Sequence, residues 1–111
     1  MPVGVVGKVQ KVYGIQSTPR GVSAVHYVGR CYLNEVLVET DGVNDVAINI
    51  WDNNVAVGAG TRVGNPAMTI TAATRNWAYT PPKSRLMKKG IYIEITCAGT
   101  CYVSADYDPG T

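Results

Sequence analysis

The chain has 111 residues and a mass of 11.9 kDa, the size of a single domain. Its formal net charge of +2 is too small to indicate nucleic-acid binding, and no apolar run approaches the roughly 18 residues of a membrane-spanning helix. Residues 1–20 lack the apolar block of a signal peptide, so we expect synthesis in a cytoplasm. Sixteen Val, seven Ile, ten Thr, seven Tyr and two Trp stand against three Leu, a composition typical of β-sheets.

The chain begins with a Val-rich segment, residues 3–15, that three glycines interrupt. This pattern predicts either an edge strand of the domain or an extended arm, and the residues favour neither. Residues 17–21 predict a turn. Residues 22–33 predict either one bent strand or two short ones, with Gly29 at the bend.

A hairpin is predicted around residues 41–45. Apolar residues hold even positions on both sides of this turn, and an odd-length loop brings them to one face: Val36, Val38, Val46, Ile48 and Ile50. A three-residue loop would set Glu39 opposite Asp45, two like charges, so a five-residue loop is favoured.

The middle of the chain is less regular. Residues 55–63 are Gly-rich and weakly patterned, whereas residues 68–72 predict a strand. Residues 73–90 contain two consecutive prolines and predict a long loop, anchored by Trp77 and Tyr79. The loop carries a basic group that either binds phosphate or an acidic protein surface, or is simply solvated: Lys83, Arg85, Lys88 and Lys89.

The C-terminal third has the clearest alternation. Residues 91–97 and 101–107 place apolar side chains at odd positions, which predicts two half-buried strands. A three-residue loop pairs Ile95 with Val103 and Cys97 with Cys101, so that inward residues meet inward residues in a second hairpin. The two thiols then face each other, and packed free thiols are favoured over a disulfide.

No window sustains a helical period. Seven or eight short strands with turn signals between them predict an all-β domain, a small β-sandwich or jelly roll built from antiparallel hairpins. The whole chain, residues 1–111, forms this one domain, with residues 1–20 as its arm or edge strand.

Catalytic and metal-binding patterns are weak. Cys97 and Cys101 have no second ligand pair to complete a zinc site, and Cys31 reads as a small core residue. His26 lacks an evident partner and is expected on the polar face of a strand. The acids form no recognisable glycosidase pair, and no glycine-rich segment matches a phosphate loop. We therefore expect no enzyme activity, no cofactor and no metal.

Five aromatic residues are the candidates for a binding surface: Trp51, Trp77, Tyr79, Tyr92 and Tyr102. They predict either a platform on which sugars stack or a protein interface. In the predicted register Tyr92 and Tyr102 flank one outward patch about 13 Å long, which is the best single interface candidate.

The segment of residues 86–96, followed by a turn and residues 102–107, resembles the last hairpin of small β-sandwich modules in tailed-phage structural proteins. Such modules combine a Gly, a hydrophobic-aromatic strand ending in Ile-Thr, a Gly-containing turn and a final Val/Tyr strand. Residues 32–40 and 46–52 fit the same plan. The likeness covers about half of the chain and departs from the pattern at the two cysteines. In this likeness, in its length and in its lack of recognisable catalytic groups, the chain resembles a capsid decoration protein of the staple or cement kind.

The resemblance implies a non-enzymatic virion protein, made in the host cytoplasm, that binds the outside of an assembled bacteriophage capsid. Its partners would be major capsid protein subunits and a second copy of itself in a homodimer, with neither a membrane nor a specific nucleic acid involved. Capsid stabilisation would follow because one copy joins neighbouring subunits. The alternatives are a carbohydrate-binding module or adhesin and, less favoured, a nucleic-acid binder. The candidate interface comprises Val3, Val5, Lys8, Lys11, Trp77, Tyr79, Lys83, Arg85, Lys88, Lys89, Tyr92 and Tyr102.

Overall fold

A computed structural model describes residues 15–17 and 21–109 of the chain. Within this part the only helical element is one 3-10 turn, Ala72–Thr74. The strands, in chain order, are β1 (Ile15–Ser17), β2 (Ala24–Val28), β3 (Cys31–Thr40), β4 (Val46–Asp52), β5 (Thr61–Ile70), β6 (Asn76–Tyr79), β7 (Arg85–Met87), β8 (Gly90–Cys97) and β9 (Cys101–Pro109).

The strands form two antiparallel sheets. The front sheet has the order β1-β9-β3-β6. β7 pairs with the first residues of β3, on the same edge of β3 as β6. The back sheet has the order β2-β8-β4-β5. Among the described strands, only β4 and β5 are both consecutive in the chain and paired with each other. At nearly every other connection the chain crosses from one sheet to the other. The two sheet orders are those of a jelly roll, and the predicted all-β sandwich is confirmed.

The core lies between the sheets, where alternate residues of each strand meet. Its members come from both sheets: Cys31, Leu33, Val36, Val38, Val46, Ile48, Ile50, Val63, Met68, Ile70, Met87, Ile91, Ile93, Cys101, Val103, Ala105 and Tyr107. Tyr27 of β2 packs on Tyr107 of β9 across the gap, with ring centroids 4.7 Å apart. Each fully buried Val or Ile contributes on the order of 1.5–3 kcal/mol relative to exposure.

The first predicted hairpin is half right. β3 ends at Thr40 and β4 begins at Val46, so the five-residue connection is confirmed, and the five predicted inward side chains are buried. The pairing is wrong, because β3 pairs with β9 in the front sheet and β4 with β8 in the back sheet. Here the odd-length connection leaves the even positions of both strands facing the same core, although the chain crosses to the other sheet.

The second predicted hairpin is also wrong, because its two strands lie in different sheets. β8 and β9 are joined by residues 98–100, as predicted, and their odd positions mostly face the core. However, β8 pairs with β2 and β4, whereas β9 pairs with β1 and β3. Cys97 and Cys101 therefore meet at a crossing between the sheets, and both are free thiols, as favoured.

Of the remaining strand and loop predictions, some are confirmed and others are wrong in part. Residues 22–33 form two strands, β2 and β3, and Gly29 between them has a φ of 117° that favours glycine. The predicted long loop over residues 73–90 is wrong in part, since it contains β6 and β7. The predicted strand at residues 68–72 is the end of the longer β5, which stops at Ile70. Of residues 3–15, only Ile15 lies within the described residues, where it opens the edge strand β1.

Two connections meet at one end of the sandwich. In the β3–β4 connection, the Asp41 carboxylate accepts hydrogen bonds from the N–H groups of Val43 (2.8 Å) and Asn44 (2.8 Å). It also accepts one from the N–H of Thr100 (3.2 Å) in the β8–β9 connection. These bonds, those from Asn44 foremost, hold the pKa of Asp41 well below its ordinary value. One carboxylate thereby joins two of the crossings between the sheets.

We expect Gly99→Ala to destabilise the protein by about 1–2 kcal/mol, because a Cβ at Gly99 would overlap the Asn44 side chain and lie 2.7 Å from the Asp41 carboxylate. Chemical denaturation measures the effect. In an Asn44→Ala background the cost should fall, since the overlapping amide is gone. Equal costs in both backgrounds would contradict the contact between the two connections.

Candidate interaction site on the front sheet

The outward residues of the front sheet form rows across its strands. Leu37 of β3 lies opposite Ala78 of β6 and Ser104 of β9, and Tyr32 lies opposite Leu86 of β7. In the next row Glu39 lies opposite Asn76 and Tyr102. We call the apolar members of these rows the front face: Tyr32, Leu37, Ala78, Leu86 and Tyr102.

The front face gathers exposed apolar surface. Nine large hydrophobic side chains are exposed among the described residues, and four of them lie here, each more than a third exposed: Tyr32, Leu37, Leu86 and Tyr102. The other five are valines of connections and of the end of β2. Leu37 and Tyr102 border one depression, and Tyr32 lies opposite Leu86, so the four side chains form two small apolar groups on one face, whereas scattered single residues are ordinary.

A depression of about 500 Å³ lies on this face. It is lined by Leu37, Val38, Glu39, Asn76, Trp77, Ala78, Tyr102 and Ser104. The lining combines an apolar floor with one carboxylate, an amide and two hydroxyl groups. This set provides apolar contact and hydrogen bonding, which is the composition of a protein interface.

A β-bulge in β3 determines which residues reach the front face. The register shifts between Leu33 and Glu35, where Asn34 is buried and reverses the alternation. The Asn34 amide donates to Asp108 Oδ2 at 3.1 Å, and its carbonyl oxygen accepts the Ser84 hydroxyl. Because of this extra residue, Tyr32 faces outward together with the odd-numbered Leu37.

Beside the front face, the edge formed by β6 and β7 carries a second surface, which we call the basic groove. It is an open groove of about 630 Å³ lined by Tyr79, Pro81, Pro82, Lys83, Arg85, Leu86 and Lys88. Four predicted site residues are thus brought together, and Leu86 belongs to both surfaces. Lys89 is exposed beside them, and its N–H, like that of Lys88, donates to the Asp52 carboxylate at 2.8 and 2.9 Å.

Trp77 and Tyr79 reach these surfaces only in part. They lie opposite Val38 and Val36 and pack against the core, as the predicted anchoring required, while Trp77 also lines the depression and Tyr79 the basic groove. Tyr92 is only 5% exposed and belongs to the back sheet. The predicted patch joining Tyr92 to Tyr102 is therefore wrong, because the two rings lie on opposite outer faces of the sandwich.

The five aromatic residues do not form one platform. Trp51 lies on the outer side of the back sheet, where its indole N–H donates to Glu94 at 3.2 Å and the Arg62 guanidinium lies 5.2 Å from its ring centroid. Trp77 faces the core, and Tyr102 faces outward from the other sheet. Val3, Val5, Lys8 and Lys11 lie outside the described residues.

Several titratable groups among the described residues are buried or accept backbone hydrogen bonds. Burial, and then the neighbouring Cys97, raise the pKa of the Cys101 thiol to about 11, and burial raises that of Cys31 to about 11. Asp52 and Asp41 accept backbone N–H groups. Within residues 15–17 and 21–109, no three His, Cys, Asp or Glu side chains are placed to hold a metal ion.

His26 was expected on a polar strand face, and this prediction is wrong. It lies at a register shift in β2, is 8% exposed, and its Nδ1 is 2.8 Å from the Ser17 hydroxyl of β1. The pair links the edges of the two sheets. Burial lowers the pKa of the imidazole to about 4, because a charged ring would lose its hydration there.

Sequence analysis missed most of the front face. Leu37 and Ala78 alternate with inward residues, so their outward direction was readable from the sequence. Their pairing across β3 and β6 was not, since β6 was interpreted as loop. Tyr32 and Leu86 needed the bulge at Asn34, for which the sequence carries no clear signal.

Comparison of the chain with protein-family models, curated proteins and solved structures found no match. The fold and the two surfaces are therefore argued from this chain alone. Among the described residues, no helix has the length and apolar character to cross a bilayer.

The buried His26 predicts acid sensitivity. Because its pKa is about 4 in the fold and about 6.5 when unfolded, the unfolded chain binds the proton preferentially between these values. Stability should fall by about 2 kcal/mol from pH 7 to pH 5 through this group. Urea unfolding at both pH values measures it.

The matched control is His26→Gln, which cannot titrate. Its stability should change less between pH 7 and pH 5 than that of the unmodified protein. The stability that Asp41 contributes through its lowered pKa is present above the ordinary pKa of an aspartate and is lost only below it, so it does not change between pH 7 and pH 5. The same pH dependence in both proteins would contradict the assignment to His26.

Proposed function

We propose that the protein is a non-enzymatic decoration protein that binds the outer surface of an assembled tailed-phage capsid and staples neighbouring capsid subunits. The observation that carries the proposal is the front face, on which four of the nine large hydrophobic side chains exposed among the described residues lie in two groups: Leu37 with Tyr102, and Tyr32 with Leu86. The described residues support binding by contact, because they offer apolar surface with a polar rim. The resemblance of the C-terminal strands to phage β-sandwich modules supplies the class of partner.

The front face has the anatomy expected of an interface. Leu37 lies on the interior strand β3 beside Ala78 of the edge strand β6, and Glu39 and Asn76 form part of the rim. Apolar side chains that lose water at the centre of an interface supply most of the binding free energy, whereas charged rim residues mainly orient the partner.

Stapling requires at least two contacts per copy. The front face and the basic groove meet at Leu86 but point in different directions, one outward from the sheet and one from its edge. Each can contact a different major capsid protein subunit. Once one contact forms, the second is intramolecular and benefits from a high effective concentration. A homodimer doubles the number of contacts.

Binding only to the assembled lattice stabilises that lattice by mass action. The protein would therefore be made in the host cytoplasm and reside on the capsid exterior of the virion. Its role would be to oppose the outward pressure of packaged DNA by holding subunits together.

We expect Leu37→Asp to weaken capsid binding at least tenfold, because it places a charge at the centre of the apolar face. Val55→Asp is the matched control, since Val55 is also exposed but lies in the connection between β4 and β5. The measurement is co-sedimentation of purified protein with capsids that lack it, over a range of protein concentrations.

The same preparations test stapling. Capsids lacking the protein should release their DNA at a lower temperature, and added protein should restore the transition. The proposal fails if the unmodified protein remains in the supernatant at every concentration, or if Val55→Asp weakens binding as much as Leu37→Asp.

A further inference from the structure

We infer that the basic groove binds an acidic, extended segment of a partner polypeptide. The inference concerns this groove alone and holds whether the partner is a capsid subunit or another protein. Three observations carry it: the charge of the groove, the open strand edge that borders it, and the rigid attachment of its walls.

The groove is lined by cations and, among the described residues, by no acid. Lys83, Arg85 and Lys88 line it, and no acidic side chain of the part that the structure describes does. In the described part of the chain none of these three cations has a carboxylate partner; the nearby Asp52 carboxylate is engaged by backbone N–H groups instead. Cations held side by side without counter-charges favour an anionic ligand.

The shape of the groove fits an extended chain. β7 pairs with β3 along one edge, and its other edge pairs with no strand among the described residues. An extended segment can add to such an edge through its backbone, with alternate side chains pointing to the two sides. Acidic side chains would then reach the cations, and apolar ones would reach Tyr79, Leu86 and the two prolines.

The walls of the groove are held at both ends of β7. Before the strand, the Ser84 hydroxyl bonds to Asn34 at the bulge. After it, the N–H groups of Lys88 and Lys89 bond to Asp52 of β4 at 2.9 and 2.8 Å. A backbone that is already ordered loses little conformational entropy on binding, so modest contacts suffice for measurable affinity.

A polypeptide is favoured over a nucleic acid. Proteins that bind single-stranded nucleic acid without sequence preference use exposed aromatic rings on which bases stack. The aromatic ring that lines the groove, Tyr79, is half buried against the core. A sheet edge also offers backbone hydrogen bonds, which match a peptide and not a sugar-phosphate chain.

The test uses a fluorescein-labelled peptide of five Val-Glu repeats, with a peptide of five Val-Lys repeats and a labelled ten-residue oligothymidine as comparison probes. Fluorescence anisotropy with the full-length protein measures binding at low and high salt. We expect the Val-Glu peptide to bind, the Val-Lys peptide not to bind, and the affinity to fall as salt rises.

Replacing the three cations by glutamine (Lys83→Gln, Arg85→Gln, Lys88→Gln) should weaken binding of the Val-Glu peptide at least tenfold. Arg75→Gln is the control: it removes an exposed cation next to the other end of β3, roughly 30 Å away. Thermal unfolding of each variant confirms that it is folded. Because these side chains are exposed and glutamine is polar, unfolding is not expected; single Arg85→Gln serves if the triple variant is unstable.

Three results would overturn the inference. The first is no binding of the Val-Glu peptide at millimolar concentration and low salt. The second is equal weakening by Arg75→Gln, which would show a general charge effect. The third is tighter binding of oligothymidine than of the Val-Glu peptide, which would assign the groove to nucleic acid. None of these results bears on capsid binding through the front face, which the Leu37→Asp variant tests separately.

Discussion

The structure depends on one constraint: the apolar side chains of two sheets must fill a single shared layer while the chain crosses from sheet to sheet. The crossings place polar loop backbone at the ends of the sandwich, where its N–H groups need acceptors. Three aspartates meet this need. Asp41 bonds the connections before β4 and β9, Asp45 accepts the N–H of Ala72, and Asp52 accepts those of Lys88 and Lys89. These three carboxylates thereby hold the connections at the ends of the sandwich.

The two outer faces differ because one is closed by side-chain contacts and the other is open. On the back sheet, Trp51 and Arg62 stack beside Glu94, and the connection between β4 and β5 approaches so closely that a Cβ at Gly58 would lie 3.2 Å from Glu94. On the front sheet, Leu37 is more than a third exposed and borders an open depression. Apolar surface of the front sheet is therefore accessible at Leu37, and a partner that covers it would replace water there. The basic groove extends the open surface around the sheet edge, so apolar contact and charge complementarity lie side by side.

Sequence patterns correctly predicted many members of the core, but they did not predict which strands pair with each other. The even positions of Val36–Val38 and Val46–Ile50, and most odd positions of the last two strands, face the core as predicted. Both predicted hairpins are nevertheless absent, since alternation reports which side of a strand is apolar and carries no information on which strand lies beside it. The short edge strands β6 and β7 escaped prediction because three or four residues next to two prolines give no readable period. The burial of His26 escaped it as well, because a bulge in β2 turns the ring toward Ser17.

The sequence by itself determined the all-β class, the inward residues, the lengths of two connections and the clustering of Lys83, Arg85 and Lys88 within six positions. Such properties are local: they follow from the two-residue period of a strand and from neighbours along the chain. Only the tertiary structure decided that Tyr92 and Tyr102 lie on opposite sides, that Leu37 meets Ala78, and that Tyr79 borders the basic groove. Those are non-local properties, because the position of each strand depends on how all strands together bury one apolar layer, and many strand orders satisfy the same local pattern.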